Sequence, residues 1–228
     1  MSLLYHQTFT KGLFGKYKAI FERLPHQGHI LEVGCHTGYF SRFLIDAGYH
    51  VIAVETDQEA VKVAQKNGVS VIQANIENFD PAIFSQHKFD VILFMDVLEH
   101  LRYPEAVLKS VIPLLNKDGR ILITGPNTVY WSVRRDVLRG RWNYTDSGLL
   151  DRTHLRFYTS STWYNLFKEN GFEVIRLESV DGIVPLAHYL GRLPLCKSLP
   201  SIIHRAGMKL LPNLFTITFL IEATPMQS

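Results

Sequence analysis

The chain has 228 residues, 46% hydrophobic content and a net charge of +3. That length suits one α/β domain with some insertion, and the apolar content supports a sizeable core. The small charge excess gives no case for DNA, and the composition lacks the wide basic surface that RNA would ask for. Two cysteines, Cys35 and Cys196, offer neither a disulfide framework nor zinc spacing, which fits a reducing, cytoplasmic compartment. No charged-then-apolar leader opens the chain, and its apolar runs are too short to span a bilayer.

A helical N-terminal segment is expected within residues 1–27, over about 8–24. Strands are then predicted at 29–33, 50–55, 69–73, 89–95 and 119–124, and helices at 37–47, 57–67, 104–115 and 160–170. Alternation at this spacing predicts a doubly wound, mostly parallel sheet. Gly68 and Gly171 punctuate helix ends before strands, Asp57 and Thr159 or Ser160 suit helix caps, and Asp118-Gly119 marks the turn into the fifth strand. Residues 172–179 and 214–223 read as two further strands, expected as an antiparallel pair. The architecture expected is therefore an α/β, seven-stranded sheet in a single domain over 1–228, with a cofactor-binding core at 28–125 and insertions at 126–159 and 182–212. The first insertion is rich in arginine and aromatics; the second contains no acid. Both are expected over the carboxyl ends of the strands, where ligands bind in such sheets.

Three stretches carry chemistry. The first is Glu32-Val33-Gly34-Cys35-His36-Thr37-Gly38, a strand–turn–helix whose glycines let backbone N–H groups approach a ligand. Glu55 ends the next strand, where an acid can accept hydrogen bonds from a ribose diol, with Thr56 beside it. A dinucleotide fingerprint needs G-x-G-x-x-G; here His36 and Tyr39 replace two of the three glycines, which argues against NAD. The stretch resembles motif I of the class I S-adenosylmethionine (SAM) methyltransferases, Glu/Asp-x-Gly-x-Gly-x-Gly, with His36 at the middle glycine. The resemblance implies SAM as cofactor, held by Glu32, Gly34, Cys35, His36, Gly38 and Glu55. Ala74-Asn75-Ile76-Glu77 is similar to the family's adenine-binding segment, with Asn75 for the amide edge and Ile76 for the ring face.

The second stretch, from Phe89 to Leu101, resembles the fourth strand and following turn of the ubiquinone-biosynthesis O-methyltransferases, whose Val-Leu-Glu-His run stands here as Val97-Leu98-Glu99-His100. Met95 and Asp96 fall where the methionyl part of SAM passes, and His100 where substrate enters. The third, Leu150 to Thr159, looks like a segment of glycan-associated bacterial methyltransferases and contains Arg152, His154 and Arg156. His100 and His154 are the candidate general bases. Arg152 and Arg156, with Tyr130 and Trp131, are the candidate acceptor contacts. No metal is expected as the main reading, but Asp96, Glu99, His100 and His154 form an alternative site for Mg²⁺, Mn²⁺ or Zn²⁺.

The function expected is O-methylation of a sugar, glycan-precursor or lipid-linked hydroxyl. A quinone or phenol acceptor, or a SAM-binding module without catalysis, are the alternatives. The partner is then a small-molecule or glycan-type acceptor. Residues 182–212, where Ile202, Ile203, Ala206 and Leu210 lie near Arg205 and Lys209 at helical spacing, are expected as a lid whose apolar side packs on the domain core, the alternative being a peripheral contact at the inner face of the membrane.

Overall fold

The structure is a computed structural model; it describes residues 13, 15–84, 86–182, 184–185 and 199–226. Seven strands form one sheet in the order β3-β2-β1-β4-β5-β7-β6. In the chain, α1 (Gly15–Phe21) precedes β1 (His29–Val33), α2 (Tyr39–Asp46), β2 (His50–Glu55), α3 (Gln58–Lys66) and β3 (Ser70–Gln73). The second half runs through β4 (Phe89–Met95), α4 (Pro104–Val111), β5 (Leu115–Pro126), α5 (Trp131–Leu138), α6 (Ser160–Glu169) and β6 (Phe172–Gly182). It closes with α7 (Leu199–Leu210), α8 (Pro212–Phe215) and β7 (Thr216–Pro225). Strands β1 to β5 pair parallel, and β7 lies antiparallel between β5 and β6.

Alternate residues of the central strands feed opposite cores. Leu31, Val33, Ile92 and Phe94 face one layer, with Leu108, Trp163 and Phe167. Ile30, Val91 and Leu93 face the other, with Ile20, Phe40 and Leu44. Burial on both faces explains the near-continuous apolar runs of these strands. The sheet is built outward from β1 in one direction and from β4 in the other, so connections leaving the carboxyl ends of β1 and β4 diverge. A crevice opens between them.

The sequence boundaries of β1, β2 and β4 match the structure. Asp57 caps α3 by accepting the Ala60 N–H at 2.7 Å, and Thr159 caps α6 in a reciprocal pair with Thr162. Three expectations need correction. The helix predicted at 104–115 ends at Val111; Pro113 lies in a short 3₁₀ turn, Ile112–Leu114. The fifth strand begins at Leu115, not at Gly119, because Leu115 pairs with Phe89 before a register shift carries the strand past the Asp118-Gly119 kink. The helix predicted at 37–47 starts at Tyr39, with Gly38 (φ 73°) as its cap. Residues 8–12, 14 and 186–198, parts of the N-terminal helix and second insertion expected from sequence, lie outside the described residues.

Gly125, near the end of β5, leaves room for the ring of Trp163, since a Cβ there would stand 2.2 Å from Cζ2. Trp163 is wholly buried, donates to the Pro126 carbonyl at 3.1 Å and stacks on Tyr158. The pair fixes where α6 lands and thus where the preceding loop runs. Gly125→Val is expected to destabilise the fold by about 1–3 kcal/mol or more through overpacking, read as a lower urea midpoint at unchanged slope.

Candidate active site

β1 stops at Gly34, whose φ of 75° is unfavourable for residues with a side chain; a Cβ there would also meet Val97 at 2.7 Å. His36 follows at φ 49°. Its left-handed backbone costs roughly 1 kcal/mol, and its N–H donates to Glu55 Oε2 at 2.8 Å. The N–H groups of Thr56 and Asp57 donate to Oε1 at 2.7 and 3.0 Å. Glu55 is thus locked in one orientation at the end of β2, and Oε2 keeps capacity for a further donor.

Around this turn lies a cleft of about 760 Å³ at the carboxyl edge of the strands. Of the residues expected at the cofactor, Gly34, His36, Glu55, Thr56, Asn75, Ile76, Met95 and Asp96 line it. Glu32 and Cys35 line a small recess beside it. A second hollow, of about 740 Å³, opens at the opposite edge near Lys117 and Lys168 and contains none of the motif residues.

Glu32 is 2% exposed and accepts from Ser41 Oγ. Burial, with a smaller contribution from Glu55, raises its pKa to about 7 against the lowering effect of Ser41. Burial likewise raises the Cys35 thiol, so it is an inert wall residue. Asp96 sits at φ 55°, pairs with Lys16 from α1 and accepts from Thr124 Oγ1 at 2.9 Å.

The turn Leu98–His100 lines another part of the cleft through Glu99 and His100. Glu99 is fully buried, and neither carboxylate oxygen has a hydrogen-bond partner among the described residues. Burial first, and then the Asp96 charge, push its pKa well above the usual carboxylate range. Its backbone carbonyl accepts the N–H groups of Leu155 at 2.8 Å and Arg156 at 3.0 Å. That clamp brings His154 against His100, with ring centroids 4.7 Å apart. His154 Nδ1 lies 3.3 Å from the Leu149 carbonyl and His100 Nδ1 3.2 Å from the Thr153 carbonyl. A carbonyl only accepts, so these contacts favour the tautomers in which Nδ1 carries the proton and Nε2 faces away from the carbonyl. Burial, then His100, lowers the pKa of His154, which favours the neutral ring.

Four residues expected at the acceptor lie elsewhere. Arg152 pairs with Asp146 at 2.7 Å, Arg156 donates to the Arg102 carbonyl, Tyr130 is 5% exposed, and Trp131 stacks under Arg135. None of the four lines the cleft. Residues not anticipated do so: Lys16, Glu77, Leu101, Pro126, Ser147, Gly148, Leu149, Asp151, Ile217 and Thr218. Ser147, Gly148, Leu149 and Asp151 belong to the first insertion, expected over the carboxyl ends of the strands, but nothing in the sequence singled out these residues.

These features fit a SAM site: a glycine turn at the switch point, an oriented carboxylate at the end of β2, and an amide–aliphatic pair, Asn75 and Ile76, for a purine. Comparison with known proteins agrees. The sequence profile of a family described as "Methyltransferase domain" matches residues 5–177. The ubiquinone biosynthesis O-methyltransferase of Actinobacillus pleuropneumoniae serotype 5b is 33% identical over 135 residues, 56% of this chain and 53% of that protein. The chain thus spans about half the length of the curated relatives it matches. A SAM-dependent methyltransferase from Archaeoglobus fulgidus superposes with a TM-score of 0.64 at 16% identity, covering 97% of this chain and 93% of that one. One from Thermotoga maritima, described as a possible histamine N-methyltransferase, gives 0.61 at 21% identity over 97% and 91%. At these identities the structural likeness speaks for the fold alone. The chain belongs to the class I SAM-dependent methyltransferase family, and its cofactor is S-adenosyl-L-methionine.

The Glu32 shift has a definite sign. A carboxyl with a raised folded-state pKa contributes stability below its unfolded value, and that contribution is lost as pH rises towards 7. Glu32→Gln is therefore expected to stabilise the ligand-free protein relative to wild type at pH 8, by up to about 3 kcal/mol, with little difference near pH 4. Denaturant melts at the two pH values check this; an equal effect at both would remove the titration from the account.

Proposed function

We propose that the protein methylates an oxygen acceptor, a hydroxyl on a phenolic or quinol-type ring. The observation that carries the reading is the pair of imidazoles, His100 and His154, facing each other in the cleft beside Glu99, each with Nδ1 near a backbone carbonyl. When bound, the cofactor supplies a methyl group already activated by a positive sulfur. The protein then has to align acceptor oxygen, methyl carbon and sulfur, which can contribute on the order of 7–11 kcal/mol. One histidine takes the hydroxyl proton on Nε2 as the oxygen–carbon bond forms. Glu55, fixed by three backbone N–H groups, holds the ribose, and Asn75 and Ile76 bed the adenine. A phosphate-bearing sugar or glycan precursor is less favoured than sequence alone suggested, because Arg152 and Arg156 are engaged away from the cleft. The printed name of the relatives, a ubiquinone biosynthesis O-methyltransferase, supports a phenolic ring instead.

A second reading has its own observation. The ligand atoms of Glu99, His100 and His154 all lie within 4.8 Å of one another. A carboxylate with two imidazoles suits Mn²⁺ or Zn²⁺, and a cation there would give Glu99 the partner it lacks among the described residues. Asp96, held by Lys16 and Thr124, stays outside this trio.

Glu55→Ala is expected to weaken SAH binding at least tenfold by calorimetry, from the loss of charge-assisted hydrogen bonds. His100→Ala or His154→Ala should leave SAH affinity within a few-fold while turnover of a catechol falls about 10²–10⁴-fold. If both variants turn over normally, the base is not a histidine. Chelation separates the two readings: the base reading expects full turnover after EDTA, the metal reading expects loss, restoration by Mn²⁺ or Zn²⁺, and no restoration in Glu99→Gln.

A further inference from the structure

Fourteen large apolar side chains are exposed among the described residues, and their distribution is uneven. Six lie between Val137 and Phe157, and two more are Leu210 and Leu211 at the α7–α8 corner. Leu138 is 88% exposed and Leu210 75%. Charge is concentrated in the same places. Residues 126–158 and 199–215 hold eight Arg or Lys against three Asp, so the remainder of the chain, sixteen against eighteen, is net negative.

The two stretches are tied together. Asn213 in α8 accepts the Ser160 N–H on its side chain at 2.9 Å and the Asn127 side-chain amide on its carbonyl at 3.0 Å. Both ends of the first insertion are therefore clasped to α8. Both stretches also border the cleft, which is lined by Ser147, Gly148 and Leu149 from one and by Ile217 and Thr218 just beyond the other.

We propose that α5 with the loop after it and the α7–α8 corner form a docking face for an anionic membrane surface, from which the cleft draws an amphipathic hydroxyl acceptor. The last clause rests on the methyl-transfer reading above; the docking itself does not. Arginines attract lipid phosphates, and exposed leucines and a tryptophan, Trp142, can bury themselves at the headgroup boundary. The aliphatic members decide against a nucleic acid, which would satisfy the arginines but leave Leu138 and Leu210 in water. No helix among the described residues is long and apolar enough to cross a membrane, so the contact is with the surface.

The test is co-sedimentation of the full chain with phosphatidylcholine vesicles, with and without phosphatidylglycerol, at low and high salt. Binding is expected only with the anionic lipid and should fall as salt rises. Each arginine near such a surface contributes about fivefold, so Arg139→Ala with Arg141→Ala should weaken binding more than tenfold. Leu138→Ser with Leu210→Ser should weaken it several-fold, and SAH affinity should be unchanged in both double variants. No retention by anionic vesicles overturns the proposal. So does retention insensitive to the leucine changes, which is the signature of a general polyanion site, and so does a dimer in light scattering that the leucine changes dissolve. Wild-type protein that binds vesicles but not SAH would instead overturn the cofactor assignment and leave the docking face standing.

Discussion

The carbonyl oxygen of Glu99 accepts two backbone N–H groups from a loop more than fifty residues further along the chain, Leu155 and Arg156. The part of the cleft lined by His100 and His154 depends on this clamp. Together with the contacts of His100 to Thr153 and of Arg156 to the Arg102 carbonyl, it holds the insertion carrying His154 against the turn carrying His100. The loop cannot simply slide, because Trp163 and Tyr158 pin its far end against β5 and α6. The same turn drives the Glu99 side chain into the protein with no hydrogen bond to satisfy it among the described residues. A buried, partnerless carboxyl costs free energy, and functional sites are where such costs are retained.

The cofactor side depends on topology. Strand order reverses between β1 and β4, so their outgoing connections separate and leave backbone edges facing a crevice. Into that crevice Gly34 turns the chain tightly, and the His36 N–H reaches across to Glu55. Histidine at a position where the family pattern has glycine is compatible with this turn, since its backbone takes the left-handed conformation and uses its N–H to orient the carboxylate.

Electrostatically the molecule is divided. Glu55 and Asp96 line the cleft, with Lys16 bonded to Asp96, while burial disfavours the charged forms of Glu32 and Glu99. An acidic crevice suits a ligand that carries a positive sulfur and an ammonium group. The rim is the reverse, rich in arginine and aromatic groups. A cationic cofactor and an anionic surface would thus be attracted to different parts of one face, which keeps the two from competing.

Much of the cofactor half was legible from residues alone. Apolar runs of strand length bounded by glycine or acid placed β1, β2 and β4, and the Gly34–Gly38 spacing with Glu55 pointed to a nucleoside ligand because those signals are local. Long-range choices were not legible. Whether Arg152 and Arg156 face substrate or each find a partner nearby depends on how a thirty-residue insertion folds back, and charge pattern alone cannot say. Lys16 sits in no motif and enters the cleft because α1 packs against α2 and against β6 and β7 at the far end of the chain. Of the four possible metal ligands, proximity selects Glu99, His100 and His154 and leaves Asp96 to Lys16. The sequence by itself determined the family, the sheet and the cofactor, since each is written in short-range periodicity and turn chemistry. Only the tertiary structure decided which acceptor-side residues meet, because that follows from backbone hydrogen bonds and packing between segments that are distant in the chain.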